Sequence, residues 1–236
     1  MLLDEIKATL ELENLHLEKF EEQLLTQYEK GLISFKELQN CLLESINDIK
    51  AAWILQLKLD QDPYCYPKTD VLINKFNIRN PDKLEQVERV ICGARLIDLY
   101  KNPLKGTFDF KKLKKIHFHL FNDIYDWAGE IRTCNISKKD VLFCNAQYIE
   151  SSAKQIFLKL KEENFLKNLS QEEICERGAY YMCEINCLHP FREGNGRAQR
   201  EFMRQLFLEN EFKLNYEYTN VQEMITASVA GMVGDY

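Results

Sequence analysis

Apolar residues recur every three or four positions over most of the chain, the period of an amphipathic helix. The clearest runs cover 80–101, 109–127, 147–165 and 171–187, with a further one ending near 209. Residues 2–28 predict one long helix or a helix pair. "YEKGLISFKEL" (28–38) supplies a glycine stop and then Ser34 as an N-cap, and a second helix is expected to run to about 58. "DQDPYCYPKTD" (60–70) holds two of the five prolines and predicts an irregular connector. One segment breaks the helical rhythm. "IRTCNISKKDVLFCNA" (131–146) places β-branched and aromatic residues on both sides of a polar "SKKD", which suits a two-stranded hairpin. Periodicity alone fits an ordinary loop there equally well. The expected class is all-α with one small hairpin.

One apolar stripe carries an anomaly. Ile6, Leu10, Glu13, Leu17, Phe20 and Leu24 share a helical face, with a carboxylate in the middle. Either Glu13 sits at the edge and reaches water, or it is held inward to meet a buried cation. An unpaired buried charge is too costly to stand alone.

Composition narrows the classes. The 236 residues fit one large domain, or one with a small appendage, and 45% hydrophobic with 29% charged residues is ordinary for a globular protein. A net charge of −6 argues against a general nucleic-acid binder, so "KKLKK" (111–115) is expected to be a solvated helix face. No apolar run is long enough to span a bilayer, and the acidic N-terminus is unlike a signal peptide, so a cytoplasmic location is expected. Cys183 and Cys187 lie close before His189, but no CxxC pair exists among the eight cysteines. They are expected to be reduced core residues, not zinc ligands.

The densest chemistry is "HPFREGNGRAQR" (189–200). Pro190 helps end the preceding helix, and a new one starts near the glycines, with Phe202, Met203, Leu206 and Phe207 as its core face. Gly194, Asn195 and Gly196 therefore lie at a helix N-terminus, where backbone N–H groups and the helix dipole favour an anion. Arg197 and Arg200, three apart, can fork onto phosphate oxygens. Glu193 can hold Mg²⁺, which takes a carboxylate together with phosphate oxygens. His189 can accept a proton from an attacking hydroxyl.

This stretch resembles the signature of Fic-domain nucleotidyltransferases, His-Pro-Phe-x-(Asp/Glu)-Gly-Asn-Gly-Arg-x-x-Arg, with every fixed position filled. "YPKTDVLINKFNI", "LKKIHFHLFNDIYDWAGEIRT", the hairpin and "RGAYYMCEINCLHPF" are also similar to Fic core segments. The resemblance implies a mainly helical Fic fold and transfer of AMP from ATP to a Ser, Thr or Tyr hydroxyl of a protein. His189 would be the base, Phe191 would anchor the loop, and Glu193 would bind Mg²⁺. The nest would hold phosphates, with Arg197 on the β- and Arg200 on the γ-phosphate. The hairpin would be the flap that pairs with a target strand, with Lys138, Lys139, Asp140 and Val141 at its tip bordering the nucleotide. Related bacterial toxins act on DNA gyrase and topoisomerase IV, the targets expected by analogy. AMP removal, transfer of another phosphate-linked group, and a non-catalytic toxin–antitoxin module remain alternatives.

Thr9, Glu13 and Asn14 fit the family's inhibitory pattern, (Ser/Thr)-x-x-x-Glu-(Gly/Asn). Residues 1–48 resemble a class I antitoxin partner and 49–236 a Fic enzyme, joined in one chain. The resemblance implies that Glu13 pairs with Arg200 and blocks productive placement of the γ-phosphate, steadied by hydrogen bonding from Thr9. The sequence stops at "GMVGDY", where related domains carry further helix, so the adenine side of the pocket is expected to be incomplete or supplied differently.

Overall fold

Side chains mark where the helices start. Asn80 accepts the Lys83 N–H at 3.0 Å, with Pro81 at the first helical position, and Asp109 accepts the Lys112 N–H at 2.8 Å. Ser34 and Glu37 cap each other's backbone, as do Ser170 and Glu173. The computed structural model describes residues 2–45, 62–138 and 141–232. Its elements are α1 (Leu2–Glu11), α2 (Lys19–Glu29), α3 (Phe35–Ser45), α4 (Pro81–Lys101), α5 (Phe110–Phe121), β1 (Ser137–Lys138), β2 (Val141–Leu142), α6 (Ile149–Glu162), α7 (Gln171–Leu188), α8 (Asn195–Glu209) and α9 (Val221–Met232).

The expected mainly helical class with one hairpin holds. β1 and β2 pair antiparallel, Ser137 opposite Leu142 and Lys138 opposite Val141. The far half of the helix expected to reach 58, and the boundary at 48/49, lie outside the described residues. Helix α5 ends at Phe121, earlier than expected, and the chain turns through Gly129 at φ +77°. Helix α9 has no counterpart among the periodic runs.

α4 and α8 form the centre. α1, α2 and α3 pack on one side of α4 and α5 on another, while α8 lies between α5 and α7. α4 is buried nearly all round, from Leu84 to Leu99, including the charged pair Glu88–Arg89. Lys112 is also buried, contrary to a solvated "KKLKK" face. Its ammonium lies 3.6 Å from the Phe108 ring centroid, and burial lowers its pKa.

The N-terminal stripe is broken. α1 stops at Glu11; Asn14 then takes φ 59°, the Leu15 N–H bonds back to the Leu10 carbonyl at 3.2 Å, and the Asn14 N–H bonds to the Glu11 carbonyl at 2.9 Å. That is a Schellman terminus with asparagine in the left-handed position. Glu13 is therefore the residue at the helix end, and Phe20 is 41% exposed instead of continuing a buried face.

Candidate active site

His189 ends α7 in a left-handed conformation, φ 43°, and Pro190 behind it disfavours any continuation of the helix through this residue. Its Nδ1 lies 3.2 Å from the Asn186 carbonyl. Donation from Nδ1–H to that carbonyl leaves Nε2 as the acceptor nitrogen, the atom a base needs. The imidazole stacks on Phe143, just beyond β2, with centroids 3.7 Å apart.

The loop after His189 is locked by its own side chains. Asn195 Oδ1 accepts the Phe191 N–H at 2.9 Å, and Asn195 Nδ2 donates to the Phe191 carbonyl at 2.8 Å. Phe191 is fully buried and stacks on His117, centroids 3.8 Å apart. Below the loop, the Gly129 N–H donates to His117 Nδ1 at 2.8 Å, so Nε2 carries the proton and donates to the Glu193 carbonyl at 2.9 Å. Gly194 caps α8 at φ +76°, and a Cβ there would run into the Phe121 ring.

Glu13 reaches this helix N-terminus from α1. Its Oε1 lies 2.6 Å from Arg200 Nη2 and its Oε2 lies 2.7 Å from Arg197 Nε. A Cβ on Gly196 would collide with Glu13 Oε1, so the carboxylate rests against the first turn of α8. A carboxylate at the C-terminal end of α1 is disfavoured by about 0.3–1 kcal/mol. The two guanidinium groups and the α8 dipole offset that. Arg200 Nη2 also donates to the Thr9 carbonyl at 3.1 Å, whereas the Thr9 hydroxyl turns back to the Glu5 carbonyl at 3.1 Å. Thr9 thus meets the arginine through its backbone and not its side chain.

Arg197 is shared. Its Nη2 lies 2.5 Å from Glu88 Oε1, and Glu88 Oε2 accepts the Tyr125 hydroxyl. Burial works against its charge, but Glu13 and then Glu88 hold its pKa well above the ordinary value. Burial and then Glu88 push the Glu193 carboxyl up. The Glu193 side chain is nevertheless 44% exposed, open to the cavity, while its Oε1 accepts the Gly194 N–H at 2.8 Å. Arg197 Nη1 and Arg200 Nε are buried without a hydrogen-bond partner among the described residues.

Glu13, His189, Glu193, Asn195, Gly196, Arg197 and Arg200 line one cavity of about 560 Å³ together with Met224, Ile225 and Val229 of α9, whereas His117, Phe191 and Gly194 are not part of its lining. Leu12 and Leu15, flanking Glu13, line it too. Lys138 and Val141 stand on the paired strands, whereas Lys139 and Asp140 lie outside the described residues. Among the described residues no cluster of three or more metal-binding side chains occurs, and all eight cysteines are free.

The model of the Fic/DOC family matches residues 107–207, which run from the approach to α5 through most of α8. The protein adenylyltransferase VbhT of Bartonella schoenbuchensis is 41% identical over 174 residues, covering 74% of this chain and 36% of VbhT. The probable protein adenylyltransferase Fic of Escherichia coli K12 is 37% identical over 175 residues, covering 74% of this chain and 86% of that protein. The chain belongs to the Fic/DOC family. Among solved structures, the BepC effector of Bartonella tribocorum with bound AMPPNP is 28% identical, with a TM-score of 0.67 over 73% of this chain and 90% of that one. This chain spans about a third of the VbhT length but most of the Escherichia coli relative.

Of the signature residues predicted from sequence, His189, Glu193, Asn195, Gly196, Arg197 and Arg200 line the one cavity, whereas Gly194 and Phe191 do not and pack against Phe121 and His117 instead. Glu88, Tyr125, His117, Phe143 and Arg132 were not foreseen. Only Glu88 had a visible signal, as part of a charged pair inside the apolar run "VERVICGA".

Proposed function

We propose that this chain is a protein adenylyltransferase whose N-terminal helices hold it inactive. The observation that carries this reading is the Glu13 carboxylate seated between Arg197 and Arg200 on the first turn of α8. An anion site at a helix N-terminus, already filled by a carboxylate, is a phosphate site occupied by a surrogate. The unpartnered Arg197 Nη1 and Arg200 Nε fit the further oxygens of a polyphosphate. AMPPNP in the BepC neighbour supports ATP as the donor.

In the active state, a target hydroxyl oxygen attacks the α-phosphorus, and His189 Nε2 takes its proton. The bond from the α-phosphorus to the bridging oxygen breaks, pyrophosphate leaves, and AMP remains on the target. Glu193, whose side chain is 44% exposed to the cavity, suits Mg²⁺ shared with phosphate oxygens, and the ion would neutralise charge on the leaving pyrophosphate. The chain's own part is positioning: the nest and Arg197 hold the phosphates, and Arg200 takes the γ-phosphate once Glu13 leaves. The paired strands offer a backbone edge to the target. Helices α1–α3 then act as a built-in antitoxin. Both Glu13 oxygens are engaged by guanidinium groups, which supports inhibition over a role in orienting water for AMP removal.

The test is label transfer from α-³²P-ATP with Mg²⁺ into bacterial lysate, with purified type II topoisomerases as added targets. Glu13→Gly should raise transfer about tenfold or more, and adding His189→Ala should remove about two or more orders of magnitude. Equal activity of the parent and Glu13→Gly would end the inhibitory reading. Transfer that survives His189→Ala would end the assignment of the base.

A further inference from the structure

The hairpin and the catalytic loop are joined by one side chain. Arg132, on the segment leading into β1, is 2% exposed. Its Nε donates to the His189 carbonyl at 2.8 Å, its Nη1 to the Cys134 carbonyl at 2.7 Å, and its Nη2 to the Cys144 carbonyl. Cys134 lies on the leg before β1 and Cys144 on the leg after β2. A single guanidinium therefore holds both legs of the hairpin and the backbone of the base. The main chain repeats the link: the Arg132 N–H donates to the Pro190 carbonyl at 2.9 Å, and the Cys144 N–H to the Cys187 carbonyl at 3.0 Å. Phe143, beside Cys144, adds its ring to the His189 imidazole.

Among the described residues no carboxylate pairs with Arg132. Burying a cation against carbonyls alone is costly, and desolvation pulls its pKa below the ordinary value. If joining two strands were the only requirement, a neutral side chain would serve with less penalty. What arginine adds is a rigid planar fork that fixes several acceptors relative to one another, which lysine's single ammonium cannot reproduce. One of those acceptors is the carbonyl of the residue whose imidazole must face the substrate.

We infer that Arg132 is a positioning residue that makes the hairpin's footing and the His189 base one rigid unit. A strand docked on the hairpin is thereby held in register with His189 Nε2. The inference rests on the adenylyl-transfer reading for its consequence, but not for its geometry.

Two measurements on the full chain test it. In the Glu13→Gly background, Arg132→Lys should lower label transfer from saturating α-³²P-ATP into lysate proteins by about tenfold or more, while the KM for ATP stays within about twofold. A residue needed only for folding would move both. In the otherwise unaltered chain, hydrogen exchange of the Phe143 and Cys144 amides should accelerate in Arg132→Lys, with the α8 amides unchanged. Arg132→Gln, which keeps part of the bonding without a buried charge, replaces the lysine variant if that variant melts far below the parent. Transfer at the Glu13→Gly rate, or unchanged hairpin exchange, overturns the inference. A silent Glu13→Gly control overturns the transfer reading alone, and the exchange measurement then decides whether the clamp exists.

Discussion

A neutral imidazole at position 117 supports the signature loop from below, and its chemistry dictates a pH dependence. Nδ1 must stay unprotonated to accept the Gly129 N–H, and burial pushes the group down to about 3. Its pKa in the unfolded chain is about 6.5. A lowered folded-state value means stability that is fully present above about pH 6.5 and is lost as pH falls toward 3. By pH 5 the loss from this residue is about 2 kcal/mol. His119, also lowered by burial, adds in the same direction. The melting temperature should fall between pH 7 and pH 5, and His117→Gln should flatten that slope although it melts lower throughout. A slope unchanged in His117→Gln would remove the residue from this role. Neither His117 nor Arg132 was legible in sequence, because the partners that give them meaning lie far along the chain. His117 meets a carbonyl 76 positions away and Arg132 one 57 away. The signature residues were legible because phosphate chemistry demands those residue types close together, whatever the rest of the fold does.

Helix ends decide where the Glu13 carboxylate points. The 3.6-residue period drew a continuous stripe through Glu13, but the chain obeys a local terminator instead. Asn14 tolerates φ 59° because its short polar side chain is among the few, besides glycine, that accept the left-handed region. Leu15 and Leu10, both buried, supply the apolar contact across that terminus. The (Gly/Asn) of the resembled pattern thus has a backbone reason in this chain: Asn14 in the left-handed position closes the terminus that follows α1 and leaves the Glu13 carboxylate against the first turn of α8. Asn14→Gly should preserve inhibition and stability. Asn14→Val, β-branched at positive φ, should cost about 1–2 kcal/mol and let activity leak without any change at Glu13. Matched melting curves and label transfer check this, and an Asn14→Val protein as silent as the parent would detach the terminator from inhibition. Helix α9 escaped the sequence reading for a related reason. Its residues are only partly buried against α7, so no clean apolar stripe marks it, although it supplies a wall of the cavity.

At the scale of the molecule, the proposed inhibition requires α1–α3 to stay docked on α4, and a buried ion pair lies at that contact. Glu21 is fully buried and receives Arg89 Nε and Nη2, both at 2.9 Å. Around it, Tyr28 donates to Asp98 at 2.7 Å, and Leu25 and Leu10 crowd Gly93, where a Cβ would lie 3.1 Å from Leu25. Arg89 belongs to the same charged pair, Glu88–Arg89, whose first member grips Arg197. Adjacent residues of α4 therefore face different ways, Glu88 toward Arg197 and Arg89 toward the helices proposed to inhibit it. Replacing Arg89 by alanine leaves the Glu21 carboxylate buried without its cation, a loss of roughly 3–5 kcal/mol. That penalty falls on the α2–α4 contact, so the helices should detach before the rest unfolds. Arg89→Ala should raise AMP transfer with Glu13 intact and speed amide exchange in α1 and α2 while α8 stays protected. Lys213→Ala removes an exposed pair with Glu5 and serves as the control, since solvent screens such pairs and leaves them little weight in stability. Activation by Arg89→Ala but not by Lys213→Ala would identify docking as the regulated step. Equal silence of both would mean that Glu13 holds its arginines without help from the rest of the helical cap.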